Sequence, residues 1–163
     1  MKRPWNRVNL PVYSISSKHV NGSSNMHIIT YAQAVSMQPK QFICAIYYGT
    51  KTLENVSSNP HFVLQILSIE QYRLVDLLGK KSGNKIDKIQ RLQKRNLLTQ
   101  WNDFFILKEA LAVMEMKAIP LTNSENKTLD HRLYLCEVIN FKNLHEGQPL
   151  MLDTLREKKM IRI

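Results

Sequence analysis

The residues best suited to chemistry lie in "YYGTKTLENV", residues 47–56. An apolar run, Phe42-Ile43-Cys44-Ala45-Ile46-Tyr47-Tyr48, stops at Gly49 and is followed by Thr50-Lys51-Thr52. Gly49 can take the positive φ of a sharp turn. The pattern of residues 52–57 predicts a short helix, whose first amides find no acceptor within it. Those amides, the threonine hydroxyls and the Lys51 ammonium together suit a phosphate monoester. A simpler reading is that Thr52 caps its own helix. A full capping box is missing, since Asn55 stands where Glu or Gln belongs.

A second candidate is "LLGKKSGNKIDK", residues 77–88. Two glycines bracket Lys80, Lys81 and Ser82, giving a loop able to close over an anion; a plain helix–helix connection is the alternative. Other chemistries lack their residues. The position five before Gly49 is Cys44, so no P-loop is present, and no G-x-G-x-x-G occurs. The histidines (His19, His27, His61, His131 and His145) include no i, i+4 pair, so metal is not expected. There is no G-x-S-x-G elbow. Hydride transfer needs no such set, because a flavin carries that reaction itself.

The whole chain sets limits on these sites. Its 163 residues predict one domain, 1–163, able to bury a core unaided. Cys44 and Cys136 sit in apolar runs and read as reduced core thiols. No apolar segment approaches the roughly 18 to 20 residues of a membrane span, and the N-terminus lacks the apolar stretch of a secretory signal. A soluble, cytoplasmic protein with no membrane partner is expected. Lys plus Arg number 23 and Asp plus Glu 13, a net charge of +10. The densest part is residues 80–95, from Lys80 to Arg95, with seven cations and one carboxylate. That excess suits anionic ligands, nucleic acid, or a solvated helix. The stretch has no aromatic residue for base stacking, which makes nucleic acid the remote alternative.

Strands are predicted over 10–17, 26–36, 41–48, 62–68, 112–119 and 131–141, with a further one in the tail, 150–163. Asn21-Gly22 marks a hairpin between the first two, and "TNSENKTLD" a turn between the fifth and sixth. Helices are predicted over 52–57, 69–78 and 85–96. This order lacks the βαβ rhythm of a doubly wound sheet. It predicts a mainly β fold, a β-barrel with inserted helices.

In this order the segments resemble the flavin reductase-like family, whose fold is the FMN-binding split β-barrel. "LPVYSISSKHVNGSSNMHIITYAQAVSMQP" is similar to its opening hairpin, and "YYGTKTLENVSSNPHFVLQIL" to its phosphate-binding turn and following strand. Ser82, Gly83, Asp87 and Lys88 match an "SG…DK" loop, while "LKEALAVMEMK" and "DHRLYLCEVI" resemble two later strands. The match covers residues 10–142. The resemblance implies that Tyr48, Gly49, Thr50, Lys51 and Thr52 form the turn that holds the FMN phosphate. It implies that Asn25, His27, Ile28, Ile29, Thr30 and Tyr31 line the ring and ribityl chain, and that Lys81 and Ser82 close over them. His131 is then a catalytic candidate at the flavin face. The chain departs from the family pattern with His27 for Met, Ile28 for Thr, Tyr31 for Trp and Leu129 for Gly. The implied function is an NADH- or NADPH-dependent oxidoreductase passing electrons through FMN to a second acceptor, in a homodimer. An FMN-binding carrier or sensor with little reductase activity is the alternative.

Overall fold

The computed structural model describes residues 3–122 and 128–161. Among the described residues, nine strands form a seven-stranded sheet of order β2-β1-β5-β8-β9-β4-β3 and a separate β6-β7 pair. β1 (Tyr13–Lys18) and β2 (Ser24–Ile29) make the expected hairpin. Gly22 supplies the positive φ (92°), and Asn21 Oδ1 accepts from the Ser23 amide at 2.9 Å.

β3 (Ala32–Met37) pairs with β4 (Lys40–Tyr47), and β4 pairs with β9 (His131–Asn143). β5 (His61–Ile66) lies between β1 and β8 (Ala112–Pro120), and all these pairings are antiparallel. The strand expected over 26–36 is therefore two strands. β2 and β3 occupy opposite edges of the sheet, yet only Thr30 and Tyr31 join them. The sheet must roll until its edges meet at that point, which makes it a split barrel. The Tyr31 carbonyl accepts from the Ala45 amide at 2.9 Å there. Period-2 alternation cannot register such a change of partner, because the side-chain pattern continues through it.

α1 (Lys51–Ser58) follows β4, and a 3-10 segment (Ile69–Leu74), α2 (Val75–Gly79) and α3 (Lys88–Lys94) follow β5. The hairpin of β6 (Leu98–Trp101) and β7 (Phe104–Leu107) was not anticipated, since each strand is four residues long and neither alternates. The tail is also corrected: Leu152–Glu157 is a helix, α4. Only Met151, bridged to Pro11, and Pro149, bridged to Ser68, keep strand-like pairing in that region. Part of the expected turn at 122–130 and the last two residues of the tail lie outside the described residues.

Three packed regions hold these elements among the described residues, one of them Val63, Phe104, Ile106 and Val113, which joins the β6–β7 hairpin to β5 and β8. Ile15, Cys44, Ile46, Phe62, Leu64, Met116, Tyr134 and Cys136 fill the barrel. Met26, Leu74, Leu78, Leu92 and Leu155 seat the helices on its β1–β2 side. Each fully buried Leu, Ile or Phe contributes about 1.5–3 kcal/mol. Cys44 and Cys136 are both free thiols in this interior. The helices after β5 thus cover β2, with α1 beside β1 and β2, and the site forms where they meet.

Candidate functional site

The turn after β4 is built as its sequence suggests. Gly49 adopts φ +78°. Thr50, rather than Thr52, is the N-cap of α1: its Oγ1 accepts from the Leu53 amide at 3.2 Å and donates to the Tyr47 carbonyl at 2.9 Å. The amides of Lys51 and Thr52, first in the helix, have no acceptor within it. Thr52 is fully buried, and its Oγ1 accepts from Asn25 Nδ2 on β2 at 3.1 Å. That bond leaves the Thr52 hydroxyl proton available to a ligand. It also ties the turn to the barrel edge.

The loop after α2 closes the other wall. Asn84 Nδ2 donates to the Gly49 carbonyl at 3.3 Å, bridging loop and turn. A Cβ on Gly83 would stand 2.3 Å from Asn25 Oδ1 and 3.1 Å from Lys51 Cβ, so only glycine allows this approach. Lys88, on the first turn of α3, is 2% exposed and donates from Nζ to the Leu78 carbonyl at 2.8 Å. Burial lowers its pKa to about 8.

Between these walls lies a cavity of about 420 Å³, within the usual range for ligand pockets. Its lining includes Lys51, Lys80, Lys81 and Lys88 and no carboxylate. Lys51 and Lys80 have partners outside it, Glu54 at 2.7 Å and Asp76 at 2.6 Å. A second cavity of about 170 Å³ shares His27 and Tyr47 with the first and is lined by Ile28, Ile29, Thr30, Tyr31 and His131. There the His131 ring lies 5.1 Å from both Tyr31 and Tyr47. Its Nδ1 is 2.5 Å from Asp130 Oδ1, a contact that lowers the Asp130 pKa. Among the described residues, no three His, Cys, Asp or Glu side chains gather as metal ligands would.

His27 stands at the junction of the two cavities. Burial, then the charges of Lys88 and His131, lower its pKa to about 4, so its imidazole is neutral at pH 7. Its Nδ1 is buried without a partner, as is the Tyr48 hydroxyl. A folded pKa below the unfolded one means that the unfolded chain binds more protons between the two. Stability from this residue is therefore complete above about pH 6.5 and lost as pH falls towards 4. The expected result is a melting temperature that drops over that interval, and less steeply in His27→Gln. An equal drop in both would remove His27 as the cause.

The structure thus places the residues singled out in the sequence in two adjoining cavities. Asn25, His27, Tyr48, Gly49, Thr50, Lys51, Thr52, Lys81 and Ser82 line the larger one. Ile28, Ile29, Thr30, Tyr31 and His131 line the smaller, which His27 shares. Gly79, Lys80 and Gly83 of the glycine-bracketed loop also line the larger cavity, as do Tyr47 and Lys88, which sequence reasoning did not place there. Gly83 and Lys88 also belong to the "SG…DK" match.

Comparison with known proteins gives a consistent result. The model of the flavin reductase like domain matches residues 5–159. An FMN-binding protein from Thermus thermophilus, solved with bound 1-cyclohex-2-enone, is 19% identical with a TM-score of 0.73, covering 88% of this chain and 75% of that one. A flavoredoxin from Methanosarcina acetivorans is 18% identical with a TM-score of 0.70, covering 86% and 74%. The flavin reductase PheA2 in its native state is 21% identical with a TM-score of 0.70, covering 93% of both chains. No curated protein sequence matches.

Proposed function

This chain belongs to the flavin reductase-like family, and from that premise we propose that it binds FMN and serves as an NADH- or NADPH-dependent oxidoreductase. The observation that carries this reading is the cavity at the Gly49–Thr52 turn. Unpaired helix amides, the Thr52 hydroxyl and lysines from two loops face it with no opposing carboxylate. The residues fit FMN by a test independent of family. Two residues that line the site, His27 and Tyr48, each carry a buried polar atom without a partner, Nδ1 and the hydroxyl, and Gly83 lets the loop approach Asn25 and Lys51 at the cavity wall.

Bound FMN would supply the hydride-accepting chemistry. The chain's own residues bind and orient. Lys51, Thr52 and the first amides of α1 would hold the phosphate, and Lys81 and Ser82 would close the loop over it. Asn25 and His27 to Tyr31 would line the ring, with neutral His27 as a hydrogen-bonding group. His131 and the tyrosines beside it form the wall where a nicotinamide would stack, and Asp130 fixes the imidazole by its contact with Nδ1. The electron acceptor is a second flavin, a protein, iron or a small molecule.

The test is an absorbance spectrum after adding FMN and desalting. Retained flavin bands that bleach with NADH or NADPH are expected. Thr52→Ala should lose about ten- to a hundredfold in FMN affinity, from a charge-assisted hydrogen bond of about 1.5–3 kcal/mol. A protein that keeps no flavin would refute the reading.

We also propose a homodimer. Val35 and Met37 on β3, Ile43 on β4, and Ile139 and Phe141 on β9 are exposed on neighbouring strands, Met37 to 90%. Light scattering should give twice the chain mass, and Phe141→Glu should give one. Wild-type monomer at micromolar concentration would exclude it. Among the described residues no helix is long and apolar enough to cross a membrane.

A further inference from the structure

We propose that the open end of the barrel, opposite the Gly49–Thr52 turn, is a binding site for a small apolar carboxylate. A cavity of about 290 Å³ lies there, walled by Phe42 on β4, Ile66 on β5, Met114 on β8, and Val138 and Phe141 on β9. It shares no lining residue with the two cavities of the FMN site. Tyr47, which lines both of those, follows Phe42 by five positions of one strand, roughly 17 Å at about 3.4 Å per residue. The two ends of the barrel therefore hold separate sites, and the proposal does not depend on the flavin reading. The mouth of a barrel is a recurrent place for a small ligand.

The sheet register shapes this cup. Val138 pairs with Met116 and Asn140 with Glu115, so Ile139 is an extra residue in β9. The bulge resets the alternation and brings both Val138 and Phe141 to the cavity, while Ile139 stays outside it. Two positions further in along their strands, Leu64, Met116 and Cys136 are fully buried, which closes the cup from the interior. Phe141 at the lip is 57% exposed, apolar area that a ligand would cover.

Lys40 sets the charge of that ligand. It lines the cavity two positions before Phe42, on the same side of β4, and the other polar lining comes from Ser36, Gln41 and Asn143. No carboxylate lines the cavity, and among the described residues no ion pair holds Lys40. An apolar cup with one unpaired cation at its lip complements an apolar body that ends in one carboxylate. An apolar cavity of about 150 Å³ already admits benzene. Nearly twice that volume admits two fused rings, or a chain of about eight to ten carbons.

The probes are 2-naphthoate and octanoate, each against its neutral amide, titrated calorimetrically into the whole chain after FMN treatment. At least one acid should bind more tightly than about 1 mM, and about threefold or more tighter than its amide. The tighter acid shows whether the cup takes a ring or a chain, and either supports the class. Lys40→Met keeps an apolar stem without the charge and should erase the advantage of acid over amide. Ala112→Phe fills the cavity and should weaken acid and amide alike by about tenfold or more. FMN affinity should stay within about twofold of wild type in both variants, because the sites are well separated. Lys40 is exposed at the start of β4, so its variant decides the question even if Ala112→Phe folds poorly. Neither acid bound at about 1 mM, acids bound no tighter than amides, or an advantage that survives Lys40→Met overturns the proposal. Any of these with FMN retained leaves the flavin reading intact. A chain that keeps no FMN yet binds an acid through Lys40 loses the flavin reading and supports this site.

Discussion

Gly83→Ala should lower FMN affinity by about ten- to a hundredfold while leaving the fold intact. The added methyl would meet Asn25 Oδ1 at 2.3 Å and Asn25 Cγ at 2.9 Å, far inside van der Waals contact. Asn25 is buried, so it cannot swing into solvent. Either it leaves Thr52 Oγ1, or the 79–84 loop lifts off the turn. The first breaks a 3.1 Å bond and strands a buried amide, at about 1–3 kcal/mol. The second opens the wall that carries Lys80, Lys81 and Ser82. Gly79→Ala is the matched control, because its methyl would meet Ile28 Cβ and Val75 Cγ1 at an ordinary 3.9 Å. Fluorescence titration of FMN on both variants checks this. Equal affinities in Gly83→Ala and Gly79→Ala would show that the close approach is irrelevant to binding.

FMN affinity should also fall about tenfold between pH 7 and pH 9, through Lys88. Without ligand the amino group titrates near pH 8, because burial disfavours its charge. A phosphate or anionic ring close by favours the charge and raises that pKa. Between the two values the complex holds a proton that the free protein lacks. Binding therefore takes up protons, and affinity falls by up to tenfold per pH unit above 8. Calorimetry at pH 8 in buffers of different ionisation enthalpy should report about half a proton taken up. Lys88→Met should abolish the uptake and flatten the profile. An unchanged profile in that variant would assign the dependence to another group.

Stability should move in the opposite direction. The folded pKa of Lys88 lies below the ordinary 10.5, so the unfolded chain binds more protons between about 8 and 10.5. The ligand-free protein therefore gains stability as pH rises through that interval. A melting temperature that rises where FMN affinity falls separates Lys88 from general alkaline denaturation. His27 acts in the acid range, where its lowered pKa costs stability below about 6.5. The two residues bound a window near neutral pH in which the free site is held with His27 neutral and Lys88 charged.

Much of this was legible in the chain because the signals are local. Gly49 and the threonines after it specify a turn and a helix start within a few residues, and Asn21-Gly22 specifies a hairpin the same way. The continuous apolar run of 42–48 marks a strand with neighbours on both sides, which β4 has in β3 and β9. The short β6–β7 hairpin and the α4 tail were misread or missed for the converse reason. Their sequences are brief and weakly periodic, so packing decides their form.

By itself the sequence determined most of the order of elements, the phosphate-suited turn and the excess of positive charge. It also carried the family pattern, because the residue types that stand in order along the chain are themselves that pattern. Only the tertiary structure decided that residues 26–36 are two strands at opposite sheet edges, since strand partners are chosen by distant segments. It decided that Thr50 caps α1, which frees Thr52 to meet Asn25, 27 positions away. It also turned Lys88, one cation among seven in a basic stretch, into a buried ammonium on the cavity wall. Charge can be counted along a chain, but burial and its consequences for pKa arise only when distant segments close around the group.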